Sequence, residues 1–115
     1  MHELSIALEI IEIVEKEAAQ RNFERIDEIG LKIGALAGVH PEALRFALEA
    51  STIDTPLGGM TINIEDLPVR GICRSCGKAI EIKEFVFICP HCGAGDLDIR
   101  QGEELDIAYI SGSTD

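Results

Sequence analysis

The sequence predicts an α+β fold: two helices on a three-stranded antiparallel sheet, with an inserted zinc-ribbon module of short β hairpins. Three observations carry this expectation. Apolar residues recur at helical spacing over residues 4–20, three later stretches alternate with period two, and two Cys-x-x-C pairs lie between the second and third of those stretches. No βαβ rhythm or internal repeat runs through the chain, so a doubly wound sheet is not expected.

In the first helix Leu4, Ala7, Leu8, Ile11, Val14 and Ala18 form one stripe, which Ile6, Ile10 and Ile13 widen. Glu12 and Lys16 stand on its polar side in the favourable i,i+4 order. Over 25–36 the period becomes two, with Ile29, Leu31, Ile33 and Ala35 alternating with Glu28, Gly30, Lys32 and Gly34. The two glycines on one face fit either a bulge or close approach by another backbone. Pro41 and Glu42 suit the first turn of a second helix over 41–51, for which Leu44, Phe46, Ala47 and Leu48 supply apolar surface. Pro56, Gly58 and Gly59 break the chain; Met60, Ile62 and Ile64 then alternate with polar residues as a second strand that Pro68 ends. Leu105, Ile107 and Tyr109 alternate in the last strand, and 111–115 read as a frayed tail. The expected division is residues 1–68 plus 99–115 as an α+β domain and 69–98 as the ribbon.

Composition narrows the function classes. The chain has 115 residues, the size of one domain, and 46% are hydrophobic, enough for a core. Ten Lys and Arg against 21 Asp and Glu give a net charge of −11, which repels phosphate backbones and anionic lipid. With no Trp and one Tyr, platforms for base stacking are scarce, so no nucleic-acid partner is expected. The apolar runs are too short to span a bilayer. No basic stretch precedes an apolar one at the start, so no secretory signal is expected and the compartment is read as the cytoplasm. Four cysteines there point to metal or redox chemistry rather than structural disulfides.

Their spacing is the strongest motif. Cys73-Arg74-Ser75-Cys76-Gly77 and Cys89-Pro90-His91-Cys92-Gly93 are two like knuckles separated by twelve residues. A Cys-x-x-C turn can aim both thiolates at one ion, and two such turns complete a tetrahedral set. Four thiolates leave no coordination position for water or substrate, so the reading is structural zinc, whose binding typically contributes about 10–16 kcal/mol to small modules. Ile80, Ile82, Phe85, Phe87 and Ile88 are expected to form a hairpin between the turns. A redox pair or two disulfides are the rival readings, but a redox site needs only one Cys-x-x-C.

Met1-His2-Glu3 is short, but its chemistry is specific. An α-amine, the His2 backbone nitrogen and the imidazole can close fused chelate rings around an ion that accepts planar nitrogen, as Ni(II) and Cu(II) do. The first four N–H groups of a helix have no intrahelical acceptor, so metal can bind there without breaking a helical bond. Protons compete for the same nitrogens, and acidification should release the ion. The plain alternative is a frayed terminus with a solvated His2. His40, beside Pro41, reads as a helix-capping neighbour or an extra ligand.

Taken together, Met1-His2-Glu3-Leu4-Ser5, the amphipathic helix, the Ile-Gly-x-x-x-Gly strand with Lys32-Ile33-Gly34, the stretch 39–46 around Pro41-Glu42, the four Cys and Gln101-Gly102-Glu103-Glu104-Leu105 resemble the HypA/HybF nickel metallochaperones of hydrogenase maturation. The resemblance covers essentially the whole chain. It implies a carrier rather than an enzyme, one that delivers Ni(II) as transient cargo to the large subunit of [NiFe]-hydrogenase with the GTPase HypB. By the same resemblance nickel falls to Met1, His2 and the Glu3 backbone, and structural zinc to Cys73, Cys76, Cys89 and Cys92. Some members carry His just after each Cys pair, where this chain has Gly77-Lys78 and Gly93-Ala94. A zinc-ribbon adaptor without a nickel site is the competing reading. Linkers at 55–59 and 67–71 leave a homodimer by segment exchange open.

Overall fold

The computed structural model describes residues 2–114. Its elements run α1 (His2–Gln20), β1 (Arg25–Gly34), α2 (Pro41–Ser51), β2 (Thr61–Leu67), β3 (Val69–Cys73), β4 (Ala79–Ile82), β5 (Leu97–Gln101) and β6 (Leu105–Ser113). These form two three-stranded sheets, in the orders β2-β1-β6 and β4-β3-β5. No described helix is long and apolar enough to cross a membrane.

The chain divides into two compact units. The described part of the first comprises 2–32, 39–65 and 106–114. Helix α1 begins at His2 and ends in a Schellman motif: Asn22 takes a left-handed φ of 59°, Asn22 N–H donates to Ala19 C=O and Phe23 N–H to Ala18 C=O. Its buried residues are Ile6, Ala7, Ile10 and Val14, whereas Leu4, Leu8 and Ile13 are exposed. The stripe is thus rotated from the expected one. So many aliphatic residues make more than one face of α1 apolar, and packing against α2 and the sheet selects which is covered. Helix α2 starts where Pro41 sets the first turn, and buries Leu44 and Leu48. With Ile26, Ile29 and Leu31 of β1, these form the core, each burial being worth about 1.5–3 kcal/mol.

The sheet built on β1 is mixed, which corrects the expected antiparallel arrangement. Glu24 N–H donates to Ser113 C=O, so the start of β1 meets the end of β6 and that pair is antiparallel. Ala35 N–H donates to Leu67 C=O, so the ends of β1 and β2 meet and that pair is parallel. The physical reason is α2: a helix between two neighbouring strands returns the chain to the same end of the sheet, as in a single βαβ unit. Strand β6 also runs on to Ser113, through the stretch expected to fray, with Gly112 closely covered by the Phe23 ring.

The glycines of β1 mark close approaches. A Cβ at Gly30 would overlap the Tyr109 ring, and one at Gly34 would overlap the Gly102 carbonyl. Tyr109 lies across the sheet surface, its hydroxyl donating to Glu28 and accepting from Asn63 Nδ2 at 3.0 Å.

The second unit comprises 33–38 and 66–105. Strand β3 is central and antiparallel to both neighbours, pairing Val69 with Ile82 and Ile72 with Ala79 on one side, and Cys73 with Leu97 on the other. A register shift between Arg70 and Gly71 bends the β3–β5 pair. The ribbon hairpin is therefore β3–β4. Ile80 and Ile82 face the small core with Val69, whereas Phe85, Val86, Phe87 and Ile88 lie in turns and are exposed. The expected hairpin between the Cys pairs does not form. Glu84 and Phe85 both take a left-handed φ, at 54° and 59°, and break extended pairing there.

Candidate metal centre

The first Cys pair begins at the end of β3 and the second lies in the irregular segment between β4 and β5, yet the two turns repeat one backbone pattern. In the first, Cys73 N–H donates to Lys78 C=O at 3.0 Å and Gly77 N–H to Cys73 C=O at 2.8 Å; in the second, Cys89 N–H donates to Ala94 C=O at 2.8 Å and Gly93 N–H to Cys89 C=O at 2.9 Å. Gly77 and Gly93 take φ of 76° and 78°, which a Cβ would strain. The Gly after each pair is thus what lets the turn close. Arg74 ties the first knuckle to β5, its Nη1 donating to Asp96 at 3.0 Å and to Leu97 C=O at 3.2 Å. This tie was not read from the sequence, although Arg74 and the Asp96-x-Asp98 pair were there to signal it.

The four sulfur atoms of Cys73, Cys76, Cys89 and Cys92 lie within 4.8 Å of one another. Cys73 and Cys92 are 3.6 Å apart at sulfur, Cys76 and Cys89 3.8 Å. A tetrahedral ion with Zn–S bonds of about 2.3 Å separates its ligands by about 3.8 Å, so the donor set and spacing fit such an ion. Backbone N–H groups already point at sulfur: Cys76 N–H at Cys73 Sγ, 3.5 Å, and His91 N–H at Cys89 Sγ, 3.4 Å. These dipoles favour thiolate. The Cys76 amide is the main influence holding the Cys73 thiol below its ordinary range. At Cys89 burial opposes ionisation, but the Cys92 and His91 amides outweigh it and bring the thiol to about 7. Cys92 is pushed up to about 11: the Ala94 amide favours its thiolate, but neighbouring sulfurs and desolvation prevail. Four thiols this close cannot all ionise alone, and a cation at their centre removes that conflict. Cys73 and Cys89 are buried and Cys92 is exposed. His91 is exposed in the second turn.

At the other candidate site the structure places His2 and Glu3 in the first turn of α1, while Met1 lies outside the described residues. The Glu3 carboxylate accepts the His40 N–H at 3.1 Å, an interaction that holds its pKa below the ordinary value. His40 caps α2, its Nδ1 accepting from Ala43 N–H at 3.3 Å. The link from Glu3 to His40, 37 positions apart, carries no local sequence signal.

Known proteins match this arrangement along almost its whole length. The profile of the family described as HypA, hydrogenase/urease nickel incorporation, metallochaperone, matches residues 1–112. A hydrogenase maturation factor HypA of Geobacter metallireducens is 44% identical over 110 residues, covering 96% of this chain and 97% of the relative. A hydrogenase maturation factor HybF of Klebsiella pneumoniae is 34% identical over 112 residues, covering 97% and 99%. Among solved structures, that of the Ni metallochaperone HypA from Helicobacter pylori superposes with a TM-score of 0.65 at 18% identity, over 98% of each chain. A solution structure of a HypA protein gives 0.72 at 20% identity, over 100% of this chain and 98% of that one. The structural likenesses bear on the fold, and the profile and the relatives above 30% identity fix the lineage: this chain belongs to the HypA family of hydrogenase/urease nickel-incorporation metallochaperones.

Proposed function

We propose that the chain binds Ni(II) at Met1, His2 and Glu3 and passes it, with the GTPase HypB, to the large subunit of [NiFe]-hydrogenase, acting in the cytoplasm as a carrier and not as an enzyme. The observation that carries this reading is that the family profile begins at residue 1, so Met1-His2-Glu3 lies inside the family's own pattern. The family description names urease as well as hydrogenase; the maturation factors at 34% and 44% identity are named for hydrogenase, which favours that recipient.

The ligand chemistry supports it. An α-amine, the His2 amide and imidazole, and the Glu3 amide present nitrogen in the planar arrangement Ni(II) accepts. Helix α1 begins at His2, and its first N–H groups have no intrahelical acceptor, so a metal that displaces those protons breaks no helical bond. The Glu3 side chain is occupied by His40, which leaves Glu3 to contribute through its backbone and anchors that backbone. Cys73, Cys76, Cys89 and Cys92 hold zinc on this reading, closed to substrate, which would order a unit with a small apolar core. Functionally, residues 1–68 with 99–115 handle nickel and 69–98 carry zinc. The deciding experiment is a calorimetric Ni(II) titration of zinc-loaded, tag-free protein, Met1 verified by mass, beside His2→Ala. One equivalent bound by the wild type and lost in the variant, with zinc and fold retained, is expected. Equal binding by both, or by neither, would leave the zinc-ribbon adaptor as the better account.

A further inference from the structure

Helix α2 is apolar on two sides, and only one is covered. Leu44 and Leu48 are buried, but Phe46 and Ala50 recur at i and i+4 on the opposite stripe and Ile53 follows in the turn just past the helix end, with Phe46 and Ile53 72% and 67% exposed. Phe46, Ala50 and Ile53 line a concavity of about 600 Å³ together with Met60 and Ile62. Thr52, which also lines it, is already satisfied, its hydroxyl donating to Leu48 C=O at 2.8 Å. Among the described residues no buried side-chain polar atom is left unpaired. The concavity therefore suits apolar side chains better than a small polar ligand. Two large, mostly exposed apolar residues lining one hollow are the geometry of a binding hot spot, unlike singly scattered surface residues.

Charge says what kind of partner fits. Glu42 and Glu49 stand one helical turn to either side of Phe46, and Asp54 follows Ile53. The sole Lys or Arg between Lys32 and Arg70 is Arg45, and it is engaged: its Nη1 donates to Ile62 C=O at 2.5 Å and its Nε lies 3.7 Å from Glu42. A second copy of the chain, docking about a two-fold axis, would set this acidic rim on itself at a net charge of −11 per chain. A basic partner would instead be steered in. We infer that this groove docks an amphipathic segment of another protein, with apolar anchors at helical spacing and Lys or Arg around them. This surface is independent of the nickel site and of its test.

The probe is a short labelled peptide with Leu on one helical face and Lys on the other, added to the zinc-loaded chain and followed by fluorescence anisotropy. Two controls accompany it: the same residues reordered to abolish the face, and Glu in place of Lys. The amphipathic Leu/Lys peptide should bind one to one and each control roughly tenfold more weakly or worse. Phe46→Ser with Ile53→Ser should lose at least about tenfold in affinity, whereas Leu8→Ser, at an exposed residue of α1, should lose none. All three side chains are exposed, so the variants should keep wild-type circular dichroism. Equal binding by the reordered peptide, binding unchanged in the double variant, or no binding at all would overturn the inference. So would a wild-type dimer in sedimentation that Phe46→Ser with Ile53→Ser converts to monomer, since the occupant would then be a second copy.

Discussion

At Gly34 a side chain has nowhere to go. A Cβ there would fall on the Gly102 carbonyl and lie 2.7 Å from the Glu103 nitrogen. Both neighbours are main chain, so no rotamer relieves the clash, and 102–104 must move away. That movement stretches two hydrogen bonds, Gly34 N–H to Glu104 C=O at 2.8 Å and Leu36 N–H to Gly102 C=O at 2.6 Å. Each is worth about 0.5–1.5 kcal/mol net, and a buried group left unpaired costs about 1–3 kcal/mol. Gly34→Ala is therefore expected to destabilise the metal-loaded protein by roughly 2–4 kcal/mol. The assay is urea unfolding followed by far-ultraviolet dichroism. At a slope of about 2 kcal/mol per molar, the midpoint should fall by about 1–2 M. Gly38→Ala is the control, because Gly38 has φ 73° but no heavy atom near a Cβ, so only backbone strain of about 1 kcal/mol opposes it. A midpoint for Gly34→Ala within about 0.2 M of wild type, or a larger loss at Gly38, would refute the reasoning.

Removing one thiolate should open the four-sulfur site: Cys92→Ser is expected to weaken zinc binding by more than about 100-fold, read by competition with a chromophoric chelator, and to raise amide exchange in β3–β5 while α1 stays protected. Acid should do the same, because protons compete for the thiolates, and zinc retained undiminished in the variant would refute the four-sulfur assignment. Tyr109 should titrate above the ordinary tyrosine range, since its hydroxyl donates to Glu28 and ionisation would lose that bond. Its contribution to stability is then full below the unfolded pKa and lost as pH rises through the folded one; ultraviolet titration should show a lower pKa in Glu28→Gln, and an unchanged value would remove Glu28 as the cause.

Both helices, β1, β2 and β6 were legible because each obeys one period over many residues. Ile29, Leu31 and Ile33 fall on buried positions as alternation requires. Which stripe of α1 is covered was not legible, since a helix this rich in Ile and Leu offers several, and only the packed neighbours choose. Parallel pairing of β1 with β2 was missed although α2 between them signals a crossover, because one βαβ unit sets up no rhythm. In the ribbon, residues 85–88 read as strand by composition, yet Glu84 and Phe85 sit at positive φ, a tertiary outcome that β-propensity does not report. The convergence of the Cys pairs was legible: two Cys-x-x-C-Gly turns contain the four sulfurs that the structure brings together and the backbone device that aims them. The Glu3–His40 tie was not, because it joins α1 to the cap of α2 across 37 positions and rests on a backbone N–H that every residue but proline possesses.

A carrier has to take up an ion and also give it away, and the two donor sets fall on opposite sides of that demand. The four sulfurs converge within 4.8 Å of one another, with two of the cysteines buried and amides directed at the sulfurs, so on the proposed reading an ion held by all four has no open position and exchanges only when a thiolate lets go. On the proposed reading, the Met1-His2-Glu3 donors are the reverse: His2 and Glu3 stand in the first turn of α1, His2 is exposed, and a partner can reach the ion without unfolding anything. That openness forfeits selectivity, because nitrogen donors bind Cu(II) more tightly than Ni(II) whatever the protein does around them. Discrimination must then come from which ion is offered and where the chain docks. On the docking inferred above, a chain with 21 acidic and 10 basic residues should be steered toward a basic surface at a rate that falls as salt rises, while nickel affinity at the proposed terminal site stays nearly constant.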